Sequence, residues 1–351
     1  MTEKPRLVLW FEEFGRDEVK SVGGKCASLG EMVKIGIPVP PGFALTTECY
    51  DIFLKETGAG NEMEDHLKRF PEGPRVLSEF EEASHTLHQI IVSKEIPDDI
   101  RRTVCQSYDM LCERCGIADL SVAVRSSGIA EDMPTASFAG QYESYLNVRG
   151  KGELLDKVRL CWASMFSTRG ISYRIKKGMA LLGSSISVAV MRLVAGRSAG
   201  VGFTVHPSTG DDTRVVLEGN WGIGESVVQG VVTPDTFVIN KEHLVLEEKR
   251  VSEKFRQFVL THSGTEEQDI PLEKRGVPCL SDEEATKIAE YAKSVERHYG
   301  IPLDIEWVVE EHVPFPQNTF LVQARPVTAI AEKKTPAERL IDVILSRSYR
   351  K

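Results

Sequence analysis

Two short stretches near the C-terminus alternate with period 2. In Pro302–Glu310, alternation puts Asp304 and Glu306 on one face and Ile305 and Trp307 on the other. In Thr319–Pro326 the same rule places Thr319, Leu321, Gln323 and Arg325 on one side. The pattern predicts a strand pair with carboxylates, an amide and a guanidinium converging on one face. Elsewhere the period lengthens. Ala27, Leu29, Met32 and Val33 make an apolar helix face that begins just after Gly23 and Gly24. Helices are predicted over 47–57, 76–92 and 97–115, with Gly58-Ala59-Gly60 and Pro71–Pro74 as breaks. Leu120–Val124 reads as a buried strand that ends on Arg125, and a long loop of small and hydroxyl residues follows from Ser126 to Gln141. A strand over Tyr142–Val148 and a helix from about Gly152 to Lys177 come next.

A second half is expected to open at a strand near Ser187, with further strands at Gly200–Thr204 and Thr213–Glu218 and a helix over 282–298. Thr335, Pro336 and Glu338 form a capping signal, and Leu340, Ile341, Ile344 and Leu345 an apolar stripe, so the last predicted helix needs a surface to bury against. The expected division is an N-terminal half (1–185), a C-terminal half (186–330) and a C-terminal amphipathic segment (331–351) that packs on its own domain or docks a partner.

The length of 351 residues exceeds one comfortable core, which agrees with that division. A formal charge of −9 argues against nucleic acid or an anionic membrane as partner, so phosphate would have to be met by a few placed cations. No apolar run approaches the roughly 20 residues that span a bilayer, and the first residues carry no apolar leader, which makes the cytosol the expected compartment. Seven cysteines, an odd number, do not form a disulfide framework. Cys112 and Cys115, with Cys105 a heptad before, fall in a predicted helix without a second pair, and are read as buried thiols.

Three places carry candidate chemistry. Asp304, Glu306, Gln323 and Arg325 could hold a hard cation and a phosphate chain together. Lys25 stands at a helix start behind two glycines, a position that attracts phosphate. Arg125 is either an ion-paired structural arginine or a phosphate clamp. Arg169 and Arg174 are read as structural, and Gly222-x-Gly224 lacks the third glycine of a dinucleotide fingerprint.

In order, the motifs VGGKCASLGEM, VPPGFALT, AVRSSGIAEDMPTASFAGQYESYLNV, CWASMFSTRGISYR, GIGESVVQGVVTPDTF, and DIEW with VQARPVT resemble the N-terminal nucleotide-binding domain of phosphoenolpyruvate synthase and pyruvate phosphate dikinase. That domain belongs to the ATP-grasp superfamily and is shared by rifampin phosphotransferase. The resemblance implies an α+β fold that holds nucleotide between two subdomains. By motif position it implies Lys25 and Arg125 on the ATP phosphates, Gly140, Ser144 and Tyr145 in the phosphate-covering segment, and Arg325 on the phosphate tail. Glu306 and Gln323 are the implied ligands of Mg²⁺, with Mn²⁺ as an alternative and Asp304 as a candidate third ligand. Met191 stands where relatives usually carry a glutamine in the adenine strand. None of the eight histidines lies in the Thr-Ser-His-Ala-Ala type of context of the family's phosphate acceptor. The resemblance therefore implies a catalytic ATP-binding subunit that passes the β-phosphoryl through a pyrophosphoryl intermediate to a histidine on a separate swivelling subunit, releasing AMP and phosphate. Phenylphosphate synthase, with phenol as acceptor, is the expected specific case. A subunit of a phosphoenolpyruvate synthase-like or antibiotic phosphotransferase and a non-catalytic ATP-sensing module are the alternatives.

Overall fold

Period-2 burial builds two antiparallel sheets, which the computed structural model describes over residues 5–71, 73–129, 143–261 and 264–327. The first contains β1 (Val8–Trp10), β2 (Gly42–Leu45), β3 (Val122–Gly128), β4 (Ser144–Val148) and β5 (Ile186–Arg192), in the order β1-β2-β5-β3-β4. Its two faces differ in side-chain size. Phe43, Leu45, Val122, Val124, Val188 and Val190 point into a core shared with the helices α2 (Thr47–Thr57), α4 (Leu77–Val92), α5 (Asp98–Cys115) and α6 (Gly150–Ala163). The alternate positions Ala44, Ala123, Ala189 and Met191 face α1 (Val19–Lys34). Ala44 pairs with Ala189 and Ala123 with Met191, and the three small alanine side chains leave room for that helix to lie close.

The second sheet contains β6 (Gly196–Phe203), β7 (Arg214–Trp221), β8 (Asp235–Asn240), β9 (Leu246–Arg250), β12 (Leu303–Glu310) and β13 (Thr319–Pro326), in the order β13-β12-β6-β7-β8-β9. Helix α10 (Asp282–Tyr299) covers one face, with Ala285, Ile288, Ala289, Ala292 and Val295 fully buried against Leu217, Phe237 and Ile305. Its start is a capping box: Ser281 Oγ accepts the Glu284 N–H at 3.1 Å and Glu284 Oε2 accepts the Ser281 N–H at 2.9 Å. The Trp307 ring packs against Gly219 on the same face because that residue has no side chain; a Cβ at Gly219 would come within 2.6 Å of the ring. Strands β10 (Arg256–Thr261) and β11 (Gly264–Asp269) form a separate hairpin, and two short helices, α8 (Glu225–Val228) and α9 (Leu272–Arg275), precede α10 in the chain.

Several expectations change. Strand 186–192, expected to open the second half, lies in the middle of the first sheet between β2 and β3, so the change of sheet comes after Arg192 and not at residue 185. An additional helix, α3 (Ala59–Leu67), follows α2, because Gly58 takes a left-handed turn (φ 71°) that ends one helix and admits the next. The expected helix 152–177 is broken at Ser167, whose hydroxyl caps α7 (Thr168–Lys176) by accepting the Gly170 N–H at 3.1 Å. The placement of Thr319 and Leu321 beside Gln323 and Arg325 is wrong. Glu306 pairs with Gln323 but Trp307 pairs with Leu321, so Val322 is an extra residue at a β-bulge that flips the alternation. Thr319, Leu321 and Ala324 are buried on the face that carries Ile305 and Trp307, and Gln323 and Arg325 lie opposite Glu306 and Asp304 on the other.

All seven cysteines are free thiols, and Cys112 and Cys115 pack against the helical core. Arg174 is buried, donating to the Leu181 carbonyl at 3.2 Å and lying 5.8 Å from the Phe166 ring centre. No helix among the described residues is long and apolar enough to cross a membrane. The expected terminal helix with its Thr335 cap lies outside the described residues.

Candidate functional site

Helix α1 is the wedge between the two sheets. It kinks at Gly23 (φ 72°, ψ 170°) and restarts against the end of β3. A Cβ at Gly23 would lie 2.1 Å from the Ser127 carbonyl oxygen, so only glycine permits the approach. The approach fixes two contacts: the Cys26 N–H donates to Ser127 Oγ at 3.1 Å, and Lys25 Nζ donates to the Ser126 carbonyl at 3.2 Å. One turn on, Ser28 Oγ donates to the Ala324 carbonyl at 2.6 Å, which ties the same helix to β13.

Arg125, on β3, crosses to the strand pair of the second sheet. Its Nη2 donates to Gln323 Oε1 at 2.8 Å and to Glu306 Oε2 at 3.1 Å, and its Nη1 to the Val322 carbonyl at 3.3 Å. That carbonyl is presented by the bulge. The Arg125 and Glu306 side chains are only 16% and 23% exposed, so their charge pair is screened weakly. Beside it, Arg325 donates through Nε and Nη2 to Asp304 Oδ2 at 2.9 and 2.7 Å. Burial pushes the Asp304 carboxyl above its usual range; Arg325 opposes that rise and the Glu306 charge adds to it.

Between the sheets runs a cleft of about 300 Å³, at the lower end of the roughly 300–1,000 Å³ usual for small-molecule sites. Its inner walls are apolar, with Ala123, Leu146 and Met191 from the first sheet and Ala199, Val308 and Val322 from the second. Arg125, Ser144 and Glu306 make one polar end, and Glu225 and Gln229 also line the cleft. Met191 is 3% exposed and paired with Ala123 and Gly42 in the sheet. A second crossing lies farther along β12, and its arginine also lines the cleft. Arg192 forks onto Glu310, Nη1 to Oε1 at 2.5 Å and Nη2 to Oε2 at 3.1 Å. Glu306 and Glu310 sit four residues apart on β12, so the two arginine crossings bracket a gap of roughly 13 Å.

A third tie comes from Asn147, which is 5% exposed and holds the left-handed conformation (φ 58°) that asparagine tolerates. Its Oδ1 accepts from Ser121 Oγ at 2.6 Å, and its Nδ2 donates to the Gly264 carbonyl at 2.9 Å and to the Thr261 carbonyl. The β10–β11 hairpin is thereby fixed to the edge of the first sheet. At its other end the hairpin holds the cleft wall: the Ile223 N–H donates to the Phe258 carbonyl at 2.9 Å, and Asn220 Nδ2 to the Arg256 carbonyl at 2.8 Å.

Of the residues expected from sequence, Arg125, Ser144, Met191 and Glu306 line the cleft, and Gln323, Asp304, Arg325 and Lys25 adjoin its polar end. Tyr145 does not. It pairs with Val124 and packs into the helical core, with Lys157 Nζ 5.0 Å from its ring centre, because neighbouring strand residues face opposite ways. Gly140 lies outside the described residues. The sequence reading missed Arg192, Glu310, Asn147, Glu225 and Gln229. Arg192 could have been found by the signal that marked Arg125, a cation ending an apolar strand.

The oxygen donors on Glu306, Gln323 and Asp304 share one face of a strand pair and include no sulfur or imidazole, which fits a hard cation such as Mg²⁺ or Mn²⁺ that completes its shell with phosphate and water. Among the described residues, no cluster of three or more His, Cys, Asp or Glu side chains is arranged to hold a metal ion by itself.

A cleft between two sheets, apolar within and bounded at one end by three cations and oxygen donors, has the features of a nucleotide site. The chain matches the profile of the pyruvate phosphate dikinase AMP/ATP-binding domain over residues 19–342 and belongs to that family, whose nucleotide-binding domain is of the ATP-grasp type. It is 41% identical to a probable phosphoenolpyruvate synthase of Methanothermobacter thermautotrophicus over 95% of this chain and 48% of that protein. It is 39% identical to a phosphoenolpyruvate synthase of Aeropyrum pernix over 95% of this chain and 44% of that protein. With the phosphoenolpyruvate synthase of Pyrococcus furiosus the identity is 34%, over 95% of this chain and 45% of the relative. The chain thus spans slightly under half the length of these curated relatives.

Proposed function

We propose that this domain binds metal-ATP in the cleft and donates its β-phosphoryl, by way of a pyrophosphoryl intermediate, to a histidine outside these 351 residues, yielding AMP and phosphate. The observation that carries the reading is the convergence of Arg125 from the first sheet on Glu306 and Gln323 of the second. The adenine lies between the apolar walls beside Met191, and the triphosphate runs toward Lys25, Arg125 and Arg325. An imidazole nitrogen attacks the β-phosphorus, the bond from that phosphorus to the oxygen of the α-phosphate breaks, and AMP leaves with that oxygen. Water then cleaves the pyrophosphoryl group to phosphate and phosphohistidine. Mg²⁺, held by Glu306 and Gln323 with Asp304 as a third oxygen, supplies neutralisation of charge on the phosphate oxygens. Positioning and charge neutralisation are the main catalytic tasks in such transfers, so Lys25 and the two arginines act as a unit. No side chain of the domain is needed as general base, since the acceptor is itself the nucleophile.

The identity of the acceptor follows the relatives. Those compared are named phosphoenolpyruvate synthases, which favours a phosphoenolpyruvate synthase-like system. The phenol acceptor of phenylphosphate synthase, expected from the sequence, has no support among them. The test is to follow β-labelled ATP with the domain alone and with a partner bearing the acceptor histidine. AMP and labelled phosphohistidine appearing only with the partner support the reading. ADP as sole nucleotide product contradicts the pyrophosphoryl step, and nucleotide binding without any turnover indicates a sensing module.

A further inference from the structure

The Arg192–Glu310 pair joins the two sheets without taking part in the proposed phosphate contacts. Its place is given by register in both sheets. Arg125 pairs with Ala189 and Val122 with Arg192, so the pair lies three residues from Arg125 along the first sheet, roughly 10 Å. Arg192 is the last residue of β5, and the chain passes to the second sheet in the next three residues, 193–195. Leu193 and Val194 line the cleft, as does Met191 just before them. This connection is held from both sides. The Leu193 N–H donates to the Ser121 carbonyl at 3.0 Å, in front of β3, and the Glu311 N–H, just past β12, donates to the Ala195 carbonyl at 2.9 Å. The Arg192 N–H donates to the Pro41 carbonyl at 2.9 Å, and its guanidinium lies 5.2 Å from the ring centre of Phe320 on β13. The fork onto Glu310 thus ties the root of the connection directly to the second sheet.

We propose that Arg192 and Glu310 are positioning residues for the nucleoside end of the ligand: their fork holds residues 193–195 at the depth where the base seats, and so sets nucleotide affinity without touching the phosphates. This rests on reading the cleft as a nucleotide site. The pair is a poor source of stability. Its side chains are only 16% and 13% exposed, so desolvation offsets much of the charge attraction, and an apolar pair of similar volume can replace such a bridge at little cost. What an apolar pair lacks is direction. Two N–H···O bonds between planar groups define a distance and an angle, whereas packed methyl groups tolerate a shift. A shift at Arg192 passes straight into the connection, which has no slack because Leu193 is bonded to one sheet and Ala195 to the other. A displaced wall weakens contacts with the base and leaves Lys25, Arg125 and Arg325 where they are.

The test compares two ligands by calorimetry, both with Mg²⁺: a non-hydrolysable ATP analogue, which has a base, and inorganic tripolyphosphate, which has none. Arg192→Met combined with Glu310→Leu replaces the bridge by an apolar pair. The expected result is about tenfold weaker binding of the analogue, with tripolyphosphate affinity within about twofold of the parent because its contacts lie at the distant end. Glu310→Gln, which keeps the shape and one acceptor, should show the same selective loss at about threefold, and it decides the matter if the double variant does not fold. A merely structural role would weaken both ligands together. Equal losses for the two, or unchanged analogue affinity in a folded variant, overturn the proposal and leave the nucleotide reading intact. If the parent protein binds the analogue no more tightly than tripolyphosphate, the nucleotide reading falls and takes the proposal with it.

Discussion

Replacing Gly23 by alanine tests how α1 is seated. The residue holds φ 72°, and a Cβ there would sit 2.1 Å from the Ser127 carbonyl oxygen and 2.5 Å from Ser127 Oγ. With ψ near 170°, that φ lies in a region essentially confined to glycine, which costs an alanine roughly 1–3 kcal/mol. The clash involves backbone, so relief requires the start of α1 to move off β3, breaking the Cys26 to Ser127 and Lys25 to Ser126 hydrogen bonds at about 1 kcal/mol each. The expected loss is about 4 kcal/mol in urea unfolding. Gly36 is the control: it has φ 78° but no atom within 4 Å of its Cβ position, so Gly36→Ala should lose only the roughly 1–2 kcal/mol of backbone strain. Fluorescent-nucleotide titration of the folded fraction should show weaker binding for the Gly23 variant, because Lys25 has been displaced, and unchanged binding for Gly36→Ala. If the two variants are equally stable and bind equally well, the close approach of α1 to β3 is not what positions Lys25.

Asn147→Ala removes the tie between the hairpin and the first sheet, and should cost about 2 kcal/mol, with amide exchange rising in β10 and β11 more than in β12; uniform exchange changes would refute a local tie. For Glu31, burial pushes the carboxyl up, but the Arg16 N–H at 3.0 Å and His298 Nε2 at 2.5 Å outweigh it and hold it below the usual glutamate range. A depressed folded-state value contributes stability above the unfolded value and loses it as pH falls through the folded one. The stability gap between the parent and Glu31→Gln should therefore shrink on titration from about pH 6 to about pH 3, as read by urea midpoints; a constant gap would contradict it. Burial of Cys26, Cys49, Cys161 and Cys279 leaves three half-buried thiols, so a thiol reagent should modify at most three cysteines rapidly in the native protein and all seven after unfolding.

The two strands at 303–310 and 319–326 were legible because an alternating pattern is dictated by the pleat, and so were α2, α4, α5 and α10, whose apolar stripes are long. The bulge at Val322 was not. An inserted residue reverses which side chains share a face without leaving a turn residue to mark it, and the sequence placed Leu321 beside Gln323 for that reason. Tyr145 faces away from the cleft by ordinary alternation: it adjoins Ser144 in sequence, and adjacency along a strand means opposite faces. Strand β5 was read correctly as a strand and put in the wrong sheet, since pairing partners far apart in sequence leave no local trace. The convergence of Arg125 on Glu306 and Gln323, 181 and 198 residues away, came from the family resemblance and not from spacing. The Arg192–Glu310 crossing belongs to no motif and became visible only once β5 and β12 faced each other.

The central claim is that cations of the first sheet and the oxygen-bearing hairpin of the second enclose one metal-nucleotide. The direct measurement is a crystal structure of the domain with Mn²⁺ and a non-hydrolysable ATP analogue, with anomalous scattering locating the metal. The account predicts an anomalous peak within coordination distance of Glu306 and Gln323, with phosphate oxygens on Lys25, Arg125 and Arg325. A nucleotide or metal bound away from the β3, β12 and β13 faces, with Arg125 still on Glu306, would contradict it.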